Sequence, residues 1–233
     1  MKLAGLQKLT LLDYPGRVAC TVFTAGCNLR CPFCHNSELV LPQRNPALLD
    51  EEEFFTFLNK RQGILEGVCV TGGEPLLQKD MEDFLRRIKD LGYAVKLDTN
   101  GCFPERLKAL VEAKLVDFVA MDIKNCPDRY AQTAGIPALD ITAVQESVDF
   151  LLSGAVDYEF RTTVAAQLHD EDCFRVIGPW LRGAKMYAIQ NFRDSGDVLT
   201  GGLSPCTPQQ IQSFVEIVRP FVESVVARGD VEA

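Results

Sequence analysis

Residues 18–36 read VACTVFTAGCNLRCPFCHN, an apolar run followed at once by three closely spaced cysteines. The apolar run has the length and the β-branched residues typical of a buried strand. Cys27, Cys31 and Cys34 then fall within eight positions. The stretch therefore predicts a strand whose end carries three thiols on one short loop, an arrangement able to wrap a compact metal centre.

The strand signal recurs along the chain, and helix signals separate the strands. Further strands are predicted at residues 67–72, 94–99, 117–124, 157–163 and 185–191. Helix start signals stand at Asp50, Met81, Pro104, Thr142, Asp170 and Thr207, with the last helix running to Val226. Continuously apolar strands alternating with helices indicate an α/β fold with a parallel sheet. Six units are too few for a closed eight-stranded barrel, which leaves an open partial barrel or a doubly wound sheet.

Composition limits the class of protein. The chain has 233 residues, 47% of them hydrophobic and 24% charged, as expected of a globular protein. Its net charge of −8 disfavours a bare nucleic-acid binder. No apolar run approaches the roughly 20 residues of a membrane span, and the N-terminus lacks a signal-peptide pattern. A single domain over residues 1–233 and a cytoplasmic location are the resulting expectations.

The cysteine cluster admits more than one metal centre. Six of the nine cysteines stand singly and are expected to be small buried hydrophobes. Structural zinc usually takes four Cys or His ligands, commonly in two separated pairs, and His35 directly adjoins Cys34. An iron–sulfur cube held by three cysteines leaves one iron open for another ligand, which suits catalysis better than simple electron transfer.

The sequence resembles the radical S-adenosylmethionine (radical SAM) superfamily. CxxxCxφC, with Phe33 before the third cysteine, resembles its signature, and TGGEP at residues 71–75 resembles its GGE motif. The resemblance implies a partial (β/α)6 barrel of parallel strands. DYPGR at 13–17, LDTNG at 97–101 and MDIK at 121–124 extend the similarity to enzymes that activate glycyl radical enzymes. Residues 6–36 look most like the activating proteins of anaerobic ribonucleoside-triphosphate reductase.

This resemblance implies an oxidoreductase with a defined chemistry. Cys27, Cys31 and Cys34 would hold a 4Fe-4S cluster whose fourth iron binds SAM. Reductive cleavage of SAM would yield methionine and a 5′-deoxyadenosyl radical, which takes hydrogen from a glycine Cα of a partner protein. A flavodoxin or ferredoxin would donate the electron, and the organism would live without oxygen or with little of it. Nucleic acid and membranes are not expected as partners.

The resemblance also assigns residues to SAM. Glu74 would bind the ammonium group, with Gly72 and Gly73 leaving room for the ligand, and Asn100 would line the same site. Lys124 and Arg161 would neutralise the carboxylate, and Phe33 or one of its neighbours would lie against the adenine. Each assignment has a structural alternative: core packing for Phe33, an ion pair for Lys124 and Arg161, and a strand–helix turn for the GGE segment.

Other polar residues receive separate predictions. Asp98, Thr99 and Asp122 resemble the ligands of a monovalent cation, with strand-end capping as the alternative. Asp13 and Arg17 are expected to face the glycine loop of the partner, although DYPGR also suits a plain turn. His169 is predicted to be a solvated loop histidine.

Three competing functions stay open on the sequence. The first is the same chemistry on pyruvate formate-lyase or another glycyl radical enzyme. The second is a radical SAM enzyme acting on a small molecule, such as a deazapurine-forming synthase. The third is a non-enzymatic iron–sulfur or zinc protein, which predicts a fully ligated metal centre indifferent to SAM.

Overall fold

The computed structural model describes residues 1–41, 48–194 and 196–229. The chain falls into two compact units. Unit 1 comprises Met1–Asn28, Glu38–Thr99 and Phe103–Ala120, and unit 2 comprises Leu29–Ser37, Asn100–Cys102 and Met121–Ala233. The single domain expected over residues 1–233 stays a prediction. No helix in the described part of the chain is long and apolar enough to cross a membrane.

Unit 1 contains a sheet whose strands pair in chain order. The strands are β1 (Leu3–Thr10), β2 (Ala19–Thr24), β3 (Gly67–Gly72) and β4 (Ala94–Thr99). β1 runs antiparallel to β2, whereas β2, β3 and β4 are parallel. Thr24 lies opposite Gly72 in the register, so the carboxyl ends of β2 and β3 meet at one edge. That edge is where a parallel sheet places functional groups.

The helices of unit 1 begin where their sequences predict. They are α2 (Glu51–Asn59), α3 (Met81–Asp90) and α4 (Pro104–Glu112), while the short α1 (Ser37–Val40) starts at the boundary of the units. The Asp50 side chain caps α2 by accepting from the N–H groups of Glu52 and Glu53. Phe54 and Phe84 stack with their ring centres 5.4 Å apart, which ties α2 to α3.

Strand β5 (Phe118–Asp122) crosses the division between the units, and unit 2 continues the alternation. Its elements are α5 (Pro127–Ala134), α6 (Thr142–Leu152), β6 (Asp157–Val164), α7 (Glu171–Trp180), β7 (Tyr187–Asn191), α8 (Pro208–Val218) and β8 (Val225–Arg228). β6 pairs parallel with β7, and β7 pairs parallel with β8. Thr207 and Gln210 cap the N-terminus of α8 with a reciprocal capping box.

All six predicted strands are present, as β2 to β7. The α/β class is therefore confirmed. Four elements were not predicted: β1, β8, α1 and α5. The prediction that the last helix continues to Val226 is wrong, because α8 ends at Val218 and Val225–Arg228 form a strand. Arg219 caps this end and Pro220 comes next, and proline cannot continue a helix hydrogen-bond ladder.

The six single cysteines largely behave as expected. Cys20, Cys69, Cys126, Cys173 and Cys206 are buried, and Cys102 is half-buried. None of the nine cysteines forms a disulfide. Burial of this kind is typical of cysteines that pack as small side chains, although the Cys69 thiol also contacts charged groups.

Candidate functional site

Cys27 lies in unit 1 on the loop that leaves the carboxyl end of β2, as the sequence predicts. Two backbone hydrogen bonds tie this loop to the GGE segment after β3. The N–H of Gly73 donates to the Thr24 carbonyl at 2.9 Å, and the N–H of Glu74 donates to the Gly26 carbonyl at 2.8 Å. The GGE segment therefore positions the backbone that carries the first cysteine.

Gly72 and Gly73 are required by the close approach of that loop. Gly72 has a φ of +129°, and a Cβ there would press into the backbone of Thr24. A Cβ on Gly73 would press into the Gly26 carbonyl and lie 3.2 Å from the Cys27 nitrogen. The sequence predicts that a ligand lies beside these two glycines. In the structure, the backbone of the Cys27 loop occupies the space next to their Cα atoms. A contact of the two glycines with SAM stays a prediction.

Glu74 is fully buried and starts the 3-10 turn Pro75–Leu77. Its Oε1 accepts from the N–H of Leu76 at 3.0 Å and from the hydroxyl of Thr99 at 2.9 Å. Both of these donors are electrically neutral. The carboxyl group therefore lies at the carboxyl ends of β3 and β4, and its binding of an ammonium group stays a prediction.

Lys96 forms a buried ion pair that the sequence interpretation missed. Its ammonium group pairs with Asp98 two residues further along β4, and the lysine is only 1% exposed. The thiol of Cys69 on β3 lies 3.8 Å from both charged groups. A lysine within the apolar run AVKLDT was the available signal, because a lysine inside a buried strand needs a partner.

Cys31 and Cys34 lie in unit 2 on one tight turn. The N–H of Cys34 donates to the Cys31 carbonyl at 3.0 Å, and the Cys31 thiol lies 3.9 Å from the Ala134 carbonyl. Burial raises the pKa of both thiols. Each thiol is therefore protonated at neutral pH unless a metal displaces the proton.

Asp122, Lys124 and Arg161 form an ionic cluster in unit 2. Asp122 lies 3.0 Å from the Lys124 ammonium and 3.0 Å from the Arg161 guanidinium. Burial acts to raise the pKa of Asp122, but the two cations outweigh burial and lower that pKa to about 2. Burial opposes the charge on Lys124 as well, yet Asp122 raises the pKa of this lysine. Asp122 therefore holds the two cations together in one ion-paired group.

The aromatic residue of the cysteine motif is buried beside this cluster. Phe33 is 4% exposed, and the Lys124 ammonium lies 6.0 Å from its ring centre. The His169 ring centre lies 6.3 Å from that of Phe33. Core packing therefore explains Phe33, and its stacking on an adenine stays a prediction.

The prediction that His169 is a solvated loop residue is wrong. His169 is 2% exposed, and its Nδ1 accepts from the N–H of Ala165 at 3.2 Å. Because Nδ1 accepts, the proton lies on Nε2, which donates to the Lys124 carbonyl at 2.9 Å. Burial lowers the pKa of this histidine. His169 therefore fixes the backbone of Lys124, which belongs to the ionic cluster.

Asn100 and His35 also have defined neighbours within unit 2. The buried Asn100 accepts a hydrogen bond from the N–H of Cys102 at 3.0 Å through its side-chain oxygen. His35 stacks on Phe192 with ring centres 5.6 Å apart. His35 therefore shapes the end of the cysteine loop, and the binding of SAM by Asn100 stays a prediction.

Asp13 and Arg17 occupy the connection between β1 and β2. Asp13 is half-buried and accepts a 2.5 Å hydrogen bond from the hydroxyl of Thr21. Arg17 is exposed, with its guanidinium carbon 5.5 Å from the ring centre of Tyr14. The predicted contact with a partner protein is therefore accessible at Arg17 and partly shielded at Asp13.

The residues predicted to bind a monovalent cation have protein partners. Asp98 pairs with Lys96, Thr99 donates to Glu74, and Asp122 is bound by Lys124 and Arg161. Within residues 1–41, 48–194 and 196–229, no three or more His, Cys, Asp or Glu side chains stand grouped as a metal site. The cation site stays a prediction, with ion pairing and capping as the observed roles.

The cysteine motif fits an iron–sulfur cluster in its donor chemistry. Thiolates are the ligands of such clusters, and Cys27, Cys31 and Cys34 are free of disulfides. Burial of Cys31 also removes one ligand sulfur from water. These observations concern the donors alone, so the ligand set itself rests on the motif.

Comparison with known proteins identifies the family. The family model of the radical SAM superfamily matches residues 21–161, more than half of the chain. A protein of Methanocaldococcus jannaschii, named by inference as a glycyl-radical enzyme activating enzyme, is 30% identical over 97% of this chain and 95% of its own length. The pyruvate formate-lyase-activating enzyme of Clostridium pasteurianum is 31% identical over 54% of each chain.

Solved structures show the same fold. SuiB of Streptococcus suis, in a crystal structure with bound S-adenosylmethionine, superposes with a TM-score of 0.65 at 12% identity, over 88% of this chain and 48% of SuiB. The likeness confirms the partial barrel fold class. The chain belongs to the radical SAM superfamily, whose cofactors are a 4Fe-4S cluster and SAM.

Proposed function

We propose that this protein is an activase that generates a glycyl radical on anaerobic ribonucleoside-triphosphate reductase. The observation that carries the reaction type is the similarity to a glycyl-radical enzyme activating enzyme over 97% of the chain. The reductase is favoured as target by the resemblance of residues 6–36 to the activating proteins of that enzyme.

The cofactors supply the radical, and the protein supplies position and environment. When bound, the cluster and SAM yield methionine and a 5′-deoxyadenosyl radical after one-electron reduction. Cys27, Cys31 and Cys34 would hold the cluster. The backbone bonds from the GGE segment fix the Cys27 loop, and the turn between Cys31 and Cys34 fixes the other two thiols.

Two groups of side chains match the two charges of the amino-acid end of SAM. In unit 1, Glu74 receives its described hydrogen bonds from neutral donors, which supports binding of an ammonium group. In unit 2, Lys124 and Arg161 bring two cations to one place beside Asp122, which supports binding of a carboxylate. Charge complementarity of this kind selects a zwitterionic ligand end.

A glycine of the partner protein suits the proposed hydrogen abstraction. Glycine has no side chain to block approach to Cα, and the product radical is delocalised over the adjoining peptide groups. Arg17 is exposed and available to the loop that carries the glycine. The electron would come from a flavodoxin or ferredoxin, as in the resembling enzymes.

The proposal is tested with anaerobically reconstituted protein, SAM, a reductant and each candidate partner in turn. We expect a glycyl radical doublet in the EPR spectrum with the reductase. If the doublet forms with pyruvate formate-lyase alone, that enzyme is the target and the reductase is not. The similarity to the activating enzyme of Clostridium pasteurianum favours this alternative. Methionine release without a radical in any partner would indicate a small-molecule substrate.

A control separates the enzymatic proposal from a passive iron–sulfur protein. The EPR signal of the reduced cluster is recorded before and after SAM is added. We expect the signal to change, because an iron without a protein ligand binds SAM. An unchanged signal together with no methionine release would contradict the proposed reaction.

A further inference from the structure

The carboxyl end of α5 lies against residues 30–34, which carry the second and third cysteines and are here called the cysteine turn. Ala134 is the last residue of α5, and its carbonyl accepts from the N–H of Arg30 at 2.9 Å. The Cys31 thiol lies 3.9 Å from the same oxygen. One carbonyl oxygen at the helix end therefore contacts both the backbone and a sulfur of the cysteine turn.

Gly135 makes this close approach possible. It caps α5 with a φ of +68°, and its N–H donates to the Gln132 carbonyl at 3.2 Å. A Cβ on Gly135 would press into the Arg30 carbonyl and lie 3.1 Å from the Arg30 Cβ. The positive φ and the neighbouring backbone therefore both favour a glycine at this position.

Contacts along α5 hold the helix in place within unit 2. The side-chain amide of Asn125, just before α5, donates to the Thr133 hydroxyl at 2.8 Å and to the Leu168 carbonyl at 2.9 Å. Tyr130 is fully buried, and its hydroxyl donates to the Asp122 carbonyl at 3.3 Å. The helix therefore cannot move away from the cysteine turn without losing these bonds.

The cysteine turn is also held by contacts other than those with α5. The N–H of Thr200 donates to the Pro32 carbonyl at 3.0 Å, and Phe33 is buried. His35, directly after the turn, stacks on Phe192. Because the turn and the helix are both held, a side chain in place of the capping glycine would disturb their contact.

The contact gives the Cys31 sulfur an electrostatic neighbour of known sign. The last carbonyls of a helix have no partner within the helix and carry the negative end of its dipole. A cysteine sulfur that binds iron has lost its proton, so the nearby carbonyl oxygen opposes further negative charge on it. Reduction of an iron–sulfur cluster adds one electron. The helix end should therefore favour the oxidised cluster and lower its reduction potential.

We propose that Gly135 is a positioning residue that holds the carbonyl end of α5 against Cys31 and thereby lowers the reduction potential of the bound cluster. This inference rests on the cluster assignment within the proposed function. A lower potential makes the reduced cluster a stronger electron donor to the C–S bond of SAM. A helix outside the sequence motifs thus contributes to the driving force of SAM cleavage.

The test compares the wild type with Gly135→Ala and with the matched control Gly154→Ala, each reconstituted anaerobically with iron and sulfide. Gly154 has a φ of +77°, and among the described residues a Cβ there would meet no atom within 4 Å beyond its chain neighbours. Gly154→Ala therefore brings a similar backbone strain without a contact to the cysteine turn. A redox titration followed by EPR, without SAM, measures the midpoint potential of the cluster.

We expect the midpoint potential of Gly135→Ala to be more positive than that of the wild type. At the wild-type midpoint, the ratio of reduced to oxidised cluster should rise about threefold, the size expected for a charge beside a helix end. Gly154→Ala should match the wild type. Gly135→Asn should shift in the same direction, because asparagine tolerates a positive φ while its Cβ still presses on the Arg30 carbonyl.

Several outcomes would overturn the role of Gly135. Equal midpoint potentials in the wild type and both Gly135 variants would do so, and so would a shift to more negative potential. An equal shift in Gly154→Ala would assign the effect to backbone strain instead. If both Gly135 variants fail to fold or take up no iron while Gly154→Ala does both, the glycine serves assembly of the site and not its potential.

The two proposals fail differently. If the potential shifts as expected but the wild type forms no radical in any partner, the proposed function fails and the role of Gly135 stands. If the wild type forms the radical and both Gly135 variants keep the wild-type potential, the role of Gly135 alone fails.

Discussion

Two carboxylates at strand ends stand in opposite electrostatic settings. Glu74 in unit 1 is fully buried and accepts from a backbone N–H and a hydroxyl. Asp122 in unit 2 is half-buried and lies between the cations of Lys124 and Arg161. The hydrogen bonds described for Glu74 come from neutral donors, whereas two positive charges bind Asp122.

The difference matters for the proposed contacts with SAM. A carboxylate attracts an ammonium group, and cations attract a carboxylate. Under the proposed function, Glu74 would therefore bind the ammonium group, and Lys124 and Arg161 would bind the carboxylate.

The largest expected effect tests whether both units contribute ligands to one cluster. Cys27→Ala should abolish iron binding and methionine release as completely as Cys31→Ala or Cys34→Ala, because the motif predicts one ligand set. Iron and sulfide content after anaerobic reconstitution are the measurements. Cys206→Ala, a buried cysteine outside the motif, is the control and should retain the cluster. Full iron content in Cys27→Ala would show that Cys27 is not a ligand of the cluster.

The next prediction tests the opposite charges of the two settings. Lys124→Met should weaken SAM binding by about tenfold or more, since hydrogen bonds to charged groups are the strong ones. Wild type should also bind SAM more tightly than decarboxylated SAM. Lys124→Met should lose most of that discrimination, because the lost cation faces the carboxylate.

Glu74→Gln provides the matched control for the ligand comparison. Its amide oxygen can still accept from Leu76 and Thr99, so the turn should persist. The variant should bind SAM more weakly yet still prefer it to decarboxylated SAM. Equilibrium binding of both ligands to cluster-loaded protein is the measurement, and unchanged discrimination in Lys124→Met would contradict the assignment.

A third prediction concerns stability in unit 1. Lys96→Met removes the buried ammonium group that pairs with Asp98 and should lower the free energy of unfolding by about 3 kcal/mol. Lys96→Met/Asp98→Leu should recover much of the loss, because neither charge remains. Arg86→Met removes an exposed pair with Glu82 and should cost less than about 1 kcal/mol. Urea unfolding measures all three variants, and additive losses in the double variant would contradict the pairing.

The smallest expected effect is a pH dependence in unit 2. Burial lowers the pKa of His169 in the folded protein, so the folded state favours the neutral ring. The resulting stability is complete above the unfolded pKa near 6.5 and is lost as pH falls below it. His169→Gln should therefore show a shallower loss of unfolding free energy between pH 7 and 5. His35 also titrates with a lowered pKa, so the difference between wild type and variant is the measured quantity. Parallel pH profiles for the two proteins would contradict the role of His169.

Local patterns predicted most of the regular elements. The apolar runs predicted the six strands β2 to β7, and Asp50, Asp170 and Thr207 each cap the helix that follows. β1 escaped prediction because LAGLQKLT contains exposed polar residues and lies at the edge of the sheet of unit 1. Val225–Arg228 escaped because an apolar stretch fits a helix or a strand until its neighbour in space is known.

The sequence by itself determined the family, the order of strands and helices, and the residue types at the strand ends, because periodicity, capping and motif spacing are local properties of the chain. Tertiary structure alone decided that Lys96 pairs with Asp98, that His169 is buried against the Lys124 backbone, and that the glycines of the GGE segment accommodate the Cys27 loop. Burial, charge pairing and close backbone approach depend on which distant residues fold against one another, and no local pattern records that choice.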